Sequence, residues 1–125
     1  MINDDLDEED TAPVLSRDSA YVVSEVLDIG PGERGELVLI PERPIRHPFL
    51  FMSNSMKGSR VIVEQVRHGN VELAGKSDQN ISEFRLGSKL DLTVTSNEPI
   101  KIVVMNQGSL KTTVGASLVA GEKKE

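Results

Sequence analysis

From Ala20 onward the chain is a succession of short apolar runs rich in Val, Ile and Leu, each closed by Gly, Pro, Asn or Ser, at roughly ten-residue intervals. That punctuation restricts the fold more than any other feature. The runs are YVVSEVLDI (21–29), ELVLI (36–40), FLFMS (49–53), RVIVEQV (60–66), VELAG (71–75), SEFRL (82–86), KLDLTVT (89–95), IKIVVMN (100–106) and LKTTVGASLVA (110–120). Between them stand GPGERG (30–35), NSMKGS (54–59), HGN (68–70), SNEP (96–99) and NQGS (106–109), all of which carry turn chemistry.

Several runs alternate with a period of two, as half-buried strands do. Leu90, Leu92 and Val94 share one face, as do Ile100, Ile102 and Val104. Leu110, Thr112, Val114, Ala116 and Leu118 line up against Lys111, Thr113, Gly115 and Ser117. RVIVEQV is apolar on both faces at its start, which suits a central strand. No stretch carries a capped apolar stripe of helical period. The expectation is an all-β, two-sheet antiparallel sandwich of about eight strands, a jelly roll in preference to an immunoglobulin-like Greek key, with an extended N-terminal arm. The divisions are an acidic arm and linker over residues 1–19, a sandwich over 20–121 and a charged tail over 122–125.

Charge marks off the arm. Of 20 acidic residues, six (Asp4, Asp5, Asp7, Glu8, Glu9 and Asp10) fall in the first ten positions, and the rest of the chain carries 14 acids against all 14 bases. The whole net charge of -6 therefore belongs to the arm. A neutral body lacks the basic footprint of a nucleic-acid binder, so no direct DNA or RNA partner is expected. The acids lack the Gly and Glu positions of an EF-hand loop. No apolar run approaches the length of a membrane span, and the acidic start predicts no secretory signal. Without cysteine there is no disulfide framework and no thiolate, which fits an intracellular assembly route.

Catalytic signatures are missing, and no cofactor is expected. Gly30, Gly32 and Gly35 precede a strand, not the helix a phosphate loop requires, and read as a hairpin turn. His47 and His68 have no spacing that suggests a zinc site, and no nucleophile elbow is present. ELAGKSD, with Asp78 and Glu83, reads as polar loop. A carbohydrate platform would use flat aromatic rings, yet there is no Trp, and Phe49, Phe51 and Phe84 lie in or beside apolar runs that read as core. PERPIRHPFLF (41–51) is more informative. Pro41, Pro44 and Pro48 stiffen it, so it reads first as a rigid, solvated linker between two strands. The sharper reading is that Arg43, Arg46 and His47 make it a basic edge matched to carboxylates, those of a neighbouring copy's arm included.

The order arm, PERPIRHPFLFMSNS, RVIVEQVRHGN, SEFRLGSKLDLTV and IKIVVMNQGSLKTTVGASLVAGE resembles the small jelly-roll structural proteins of bacteriophage and other virus particles, either minor capsid or decoration subunits. The resemblance spans about residues 36–121 and lies in pattern and order. It implies a non-enzymatic virion component, assembled in the host cytoplasm, that forms homo-oligomers or attaches to a major capsid protein. The arm departs from that pattern, since capsid arms facing a genome are often basic. Protein–protein docking is the use that remains. An acidic-arm scaffold module engaging basic proteins predicts the same arm without a lattice. A cupin-like enzyme requires both histidines to converge with carboxylates on one cavity.

Overall fold

A computed structural model of the protein describes residues 21–55 and 60–120. The arm acids Asp4, Asp5, Asp7, Glu8, Glu9 and Asp10 and the tail lie outside the described residues. Eleven strands follow in order: β1 Val22–Ile29, β2 Arg34–Leu39, β3 Ile45–Arg46, β4 Phe49–Asn54, β5 Val61–His68, β6 Val71–Glu72, β7 Gln79–Asn80, β8 Ser88–Lys89, β9 Thr93–Val94, β10 Ile100–Asn106 and β11 Thr112–Val119. The pairings are all antiparallel. One sheet has the order β1-β11-β4-β8 and a second the order β2-β10-β5-β6, with β7 also on β5. A two-stranded ribbon joins β3 to β9. Six strands have six residues or more, and the short ones raise the number above the eight expected.

The inner faces are those the alternation foretold. Ile100, Ile102 and Val104 of β10 face Val114, Ala116 and Leu118 of β11 within one continuous buried core. Thr112 is buried with them, whereas Leu110 precedes the strand and stays 55% exposed. On one flank Leu27 of β1 fills the space where Gly35 of β2 lacks a side chain, so a Cβ there would collide with Leu27 Cδ2.

Glu64 and Gln65 break the alternation of RVIVEQV. Val103 stands opposite Gln65 and Val104 opposite Val63, so Glu64 is the extra residue of a β-bulge. Val61 and Val63 point inward before it and Val66 after it. The bulge also presents Glu64 to Arg34, whose Nε and Nη2 donate to the two carboxylate oxygens at 2.5 and 3.1 Å. These hydrogen bonds, helped by the charge of Arg34 and opposed by burial, hold the Glu64 carboxyl below its usual range. A carboxyl depressed in the folded state stabilises above its unfolded pKa, and that contribution is lost as pH falls through the folded value. Thermal melts should therefore show the parent modestly above a Glu64→Gln variant at pH 7, with the gap closing on acidification.

The structure corrects four local expectations. GPGERG is a corner between sheets, not a hairpin, because β1 and β2 belong to different sheets. There the Glu33 N–H donates to Gly30 O at 3.1 Å, and Gly32 adopts φ 76. SEFRL is not a strand: Asn80 caps a 3-10 helix over Ile81–Phe84, its side chain accepting the Ser82 N–H at 2.9 Å. Three residues per turn bring Ile81 and Phe84 to one face, where both are buried. VELAG forms a strand only over Val71–Glu72, across the Gly69–Asn70 turn that follows β5, with one further bond from the Leu73 N–H to Val66 O at 2.8 Å. KLDLTVT is divided into β8 and β9 by an offset in its pairing with residues 45–50.

The corner and the NQGS connection, which also passes between sheets, meet at Asn106. Its buried Nδ2 donates to Ile29 O at 3.2 Å and Leu110 O at 2.8 Å, and its Oδ1 accepts from the Gly108 N–H at 2.9 Å. Its backbone exchanges further bonds with the corner, Gly32 N–H to Asn106 O at 2.8 Å and Asn106 N–H to Glu33 O at 2.9 Å.

Candidate functional site

The basic segment is built into the sandwich and is not a free linker. Pro41, Ile45 and Pro48 are buried, which turns the residues between them outward. Ile45 and Arg46 pair with Val94 and Thr93, the His47 N–H donates to Leu92 O at 2.8 Å, and the Leu90 N–H donates to Pro48 O at 2.8 Å. His47 sits at the bend with φ 49, a left-handed value uncommon outside glycine.

Arg43, Arg46 and His47 have different surroundings. The Arg43 guanidinium carbon lies 4.5 Å from the centroid of the Tyr21 ring, within cation–π range. The Tyr21 hydroxyl accepts the Glu42 N–H at 2.7 Å, so Tyr21 is clasped by the segment from two sides. Arg46 is exposed on β3 opposite Thr93. His47 Nδ1 lies 2.9 Å from Asp91 Oδ1 but off the line of a hydrogen bond, and it has no other partner. Tyr21 is also where the described chain begins, and its carbonyl accepts the Ala120 N–H at 3.0 Å. Tyr21, two residues beyond the arm and linker in sequence, is therefore packed against the basic segment.

His68 belongs to a different arrangement. Its Nε2 donates to the Thr93 carbonyl at 2.9 Å, with Glu98 Oε1 3.9 Å away. Each histidine thus meets its own carboxylate. Among the described residues no group of three His, Cys, Asp or Glu side chains is placed to hold a metal ion. No helix among them is long and apolar enough to cross a membrane.

The outer faces of the two sheets differ in chemistry. The β2-β10-β5-β6 face is charged: beside Arg34 and Glu64 it carries Glu36, and one row reads Val38, Lys101, Arg67, Glu72. The β1-β11-β4-β8 face is nearly uncharged. Its successive rows are Val22, Val119, Phe49, Lys89; Ser24, Ser117, Phe51; Val26, Gly115, Ser53; and Asp28, Thr113. Val26 is 67% exposed in the third row. The expectation that all three phenylalanines are core is thereby corrected. Phe84 is buried, but Phe49 and Phe51 lie half-buried on this outer face, with centroids 6.4 Å apart and planes tilted by 37°. FLFMS is apolar on both faces, so its alternation has no readable phase. The signal for this surface lay in β11, whose outward residues are small and uncharged. No family model, curated protein or solved structure matches the chain.

Proposed function

We propose that the protein is a non-enzymatic assembly subunit, a virion structural protein of the jelly-roll kind, that packs against copies of itself or a major capsid protein and uses its acidic arm as a docking tether. The observation that carries this reading is the outward-turned basic segment, whose Arg43 lies over the ring of Tyr21 and whose Glu42 N–H bonds to the Tyr21 hydroxyl, two residues beyond the acidic arm and linker in sequence. The acids therefore lie, in sequence, eleven residues or more before a residue that packs on the basic segment. From Asp10 to Tyr21 an extended chain spans at most about 38 Å. A body of this size has a diameter of roughly 35 Å. A chain of that length is long enough to bring the acids to the Arg43, Arg46 and His47 of a neighbouring copy. Carboxylate–guanidinium contacts between copies would give specificity and salt dependence more than raw affinity.

Deletion of residues 1–13 is expected to lower self-assembly or particle occupancy at low salt, with a smaller effect at high salt, as measured by light scattering and sedimentation. Arg43→Glu with Arg46→Glu should reproduce the loss. Unchanged assembly in both variants would remove the arm and the segment from the contact.

A further inference from the structure

We infer that the outer face of the β1-β11-β4-β8 sheet is a two-fold self-association surface, its occupant being the same face of a second copy. This deepens the assembly reading above and rests on it, but it concerns a different surface from the arm's. Four observations carry it.

The first is charge placement. The paired rows of this face hold two charged side chains of opposite sign, Lys89 at the β8 border of the first row and Asp28 at the β1 border of the last. These are opposite corners. A two-fold axis lying in the interface along the other diagonal sets each Lys89 against the partner copy's Asp28, crosses the strands of the two copies near a right angle, and sets the uncharged middle of one face against the uncharged middle of the other. An isologous contact requires such self-complementarity. The charged outer face of the other sheet offers no comparable neutral rows.

The second is that two pairs of the face's polar groups are satisfied within it. Ser24 and Ser117 hydroxyls share a hydrogen bond at 2.9 Å, and Thr113 Oγ1 donates to Asp28 at 2.7 Å. Covering these groups strands few bonds to water.

The third is that association by the strand edge is obstructed. Among the described residues β1 is the border strand of this sheet, yet Glu25 stands opposite the buried Ala116 and so takes an inward-facing position while remaining exposed. An inward-pointing charge on an edge strand discourages another strand from pairing there. The face is left as the route to a partner.

The fourth is size. Three long strands and a short one give a face of about 20 by 25 Å, or roughly 500 Å² per copy. Doubled, this reaches the lower bound of about 1,000 Å² for a specific interface. The dimer formed by this face alone is weak, and a second contact on the same subunit would reinforce it through effective concentration.

The test is sedimentation equilibrium of the full chain up to about 1 mM, a range that captures weak dimers, in low and in high salt. A reversible dimer that persists in high salt is expected, because the central rows are apolar or neutral. Ser117→Arg places a charge at the centre of the face and should weaken it by about tenfold or more. Val26→Lys, at a more exposed position, should act in the same direction and guards against a folding defect in the first variant. Lys89→Glu should weaken association, and Lys89→Glu with Asp28→Lys should recover most of it. A chain that stays monomeric across the whole range overturns the proposal. So does a dimer that Ser117→Arg and Val26→Lys leave unchanged. If association disappears in high salt and on arm deletion but ignores both face variants, the arm reading stands and the face proposal falls. A dimer that survives arm deletion and breaks with Ser117→Arg does the reverse.

Discussion

Asn106→Ala is expected to lower the unfolding free energy by about 3 kcal/mol, because it leaves buried backbone groups without partners. The side chain bonds to the carbonyls of Ile29 and Leu110 and to the Gly108 N–H, and it is fully buried. No neighbouring side chain substitutes for three bonds made at once to two connections. For a domain of about 100 residues the loss corresponds to a fall in melting temperature of roughly 15 °C. Asn106→Asp separates this account from simple loss of packing. It keeps the acceptor for Gly108 but sets a buried carboxylate against two carbonyls. That variant should be less stable than Asn106→Ala at pH 7. Its carboxyl pKa is raised in the folded state, so stability should return as pH falls through that raised value. Urea titrations of both variants from pH 7 to pH 4 would decide the point. If the Asp variant is as stable as the parent at pH 7, the proposed orientation of the amide is wrong.

Phe84→Ala is expected to be the more costly substitution, by about 4 kcal/mol. Phe84 is the largest fully buried side chain, and its 3-10 helix touches β4 of one sheet and β5 of the other. It closes the flank of the sandwich opposite the one where Leu27 meets Gly35. Truncation there opens a cavity bordered by both sheets, which rigid strands cannot collapse to fill. Phe84→Leu should cost about 1–2 kcal/mol, since it keeps most of the apolar volume. Chemical denaturation should show a lower midpoint with an unchanged slope for both variants. A cost below about 1 kcal/mol for the alanine variant would show that the helix is not part of the core.

These two residues also mark where the sequence was and was not readable. β10 and β11 alternate without interruption, and the residues assigned to their inner faces are buried. The all-β antiparallel fold followed from such runs and from the turn residues between them. Phe84 was recognised as core, but its helix was not, since SEFRL differs little from an alternating strand. The signals were Asn80, a capping residue, and the three-residue spacing of Ile81 and Phe84. Asn106 stands in the sequence both at the end of the IKIVVMN run and at the start of the NQGS turn. Nothing local distinguishes an asparagine that ends a strand from one that joins two connections 77 positions apart. The bulge at Glu64 was legible in principle, as two adjacent polar residues where alternation allows one. For the candidate surfaces, Arg43, Arg46 and His47 were identified by composition, but the clasp on Tyr21 depends on tertiary placement. The neutral outer face was hidden by FLFMS, in which both phases of alternation are apolar.

The pairing of Val22–Ile29 with Thr112–Val119 has a consequence in time. During synthesis the first strand of the sandwich leaves the ribosome roughly 5–20 s before the last, at ordinary elongation rates. Throughout that interval its intended neighbour does not yet exist. A long apolar strand left waiting is open to capture by nascent chains nearby. An inward-facing charge at Glu25 makes that strand a poorer template for a wrong partner during the wait for β11.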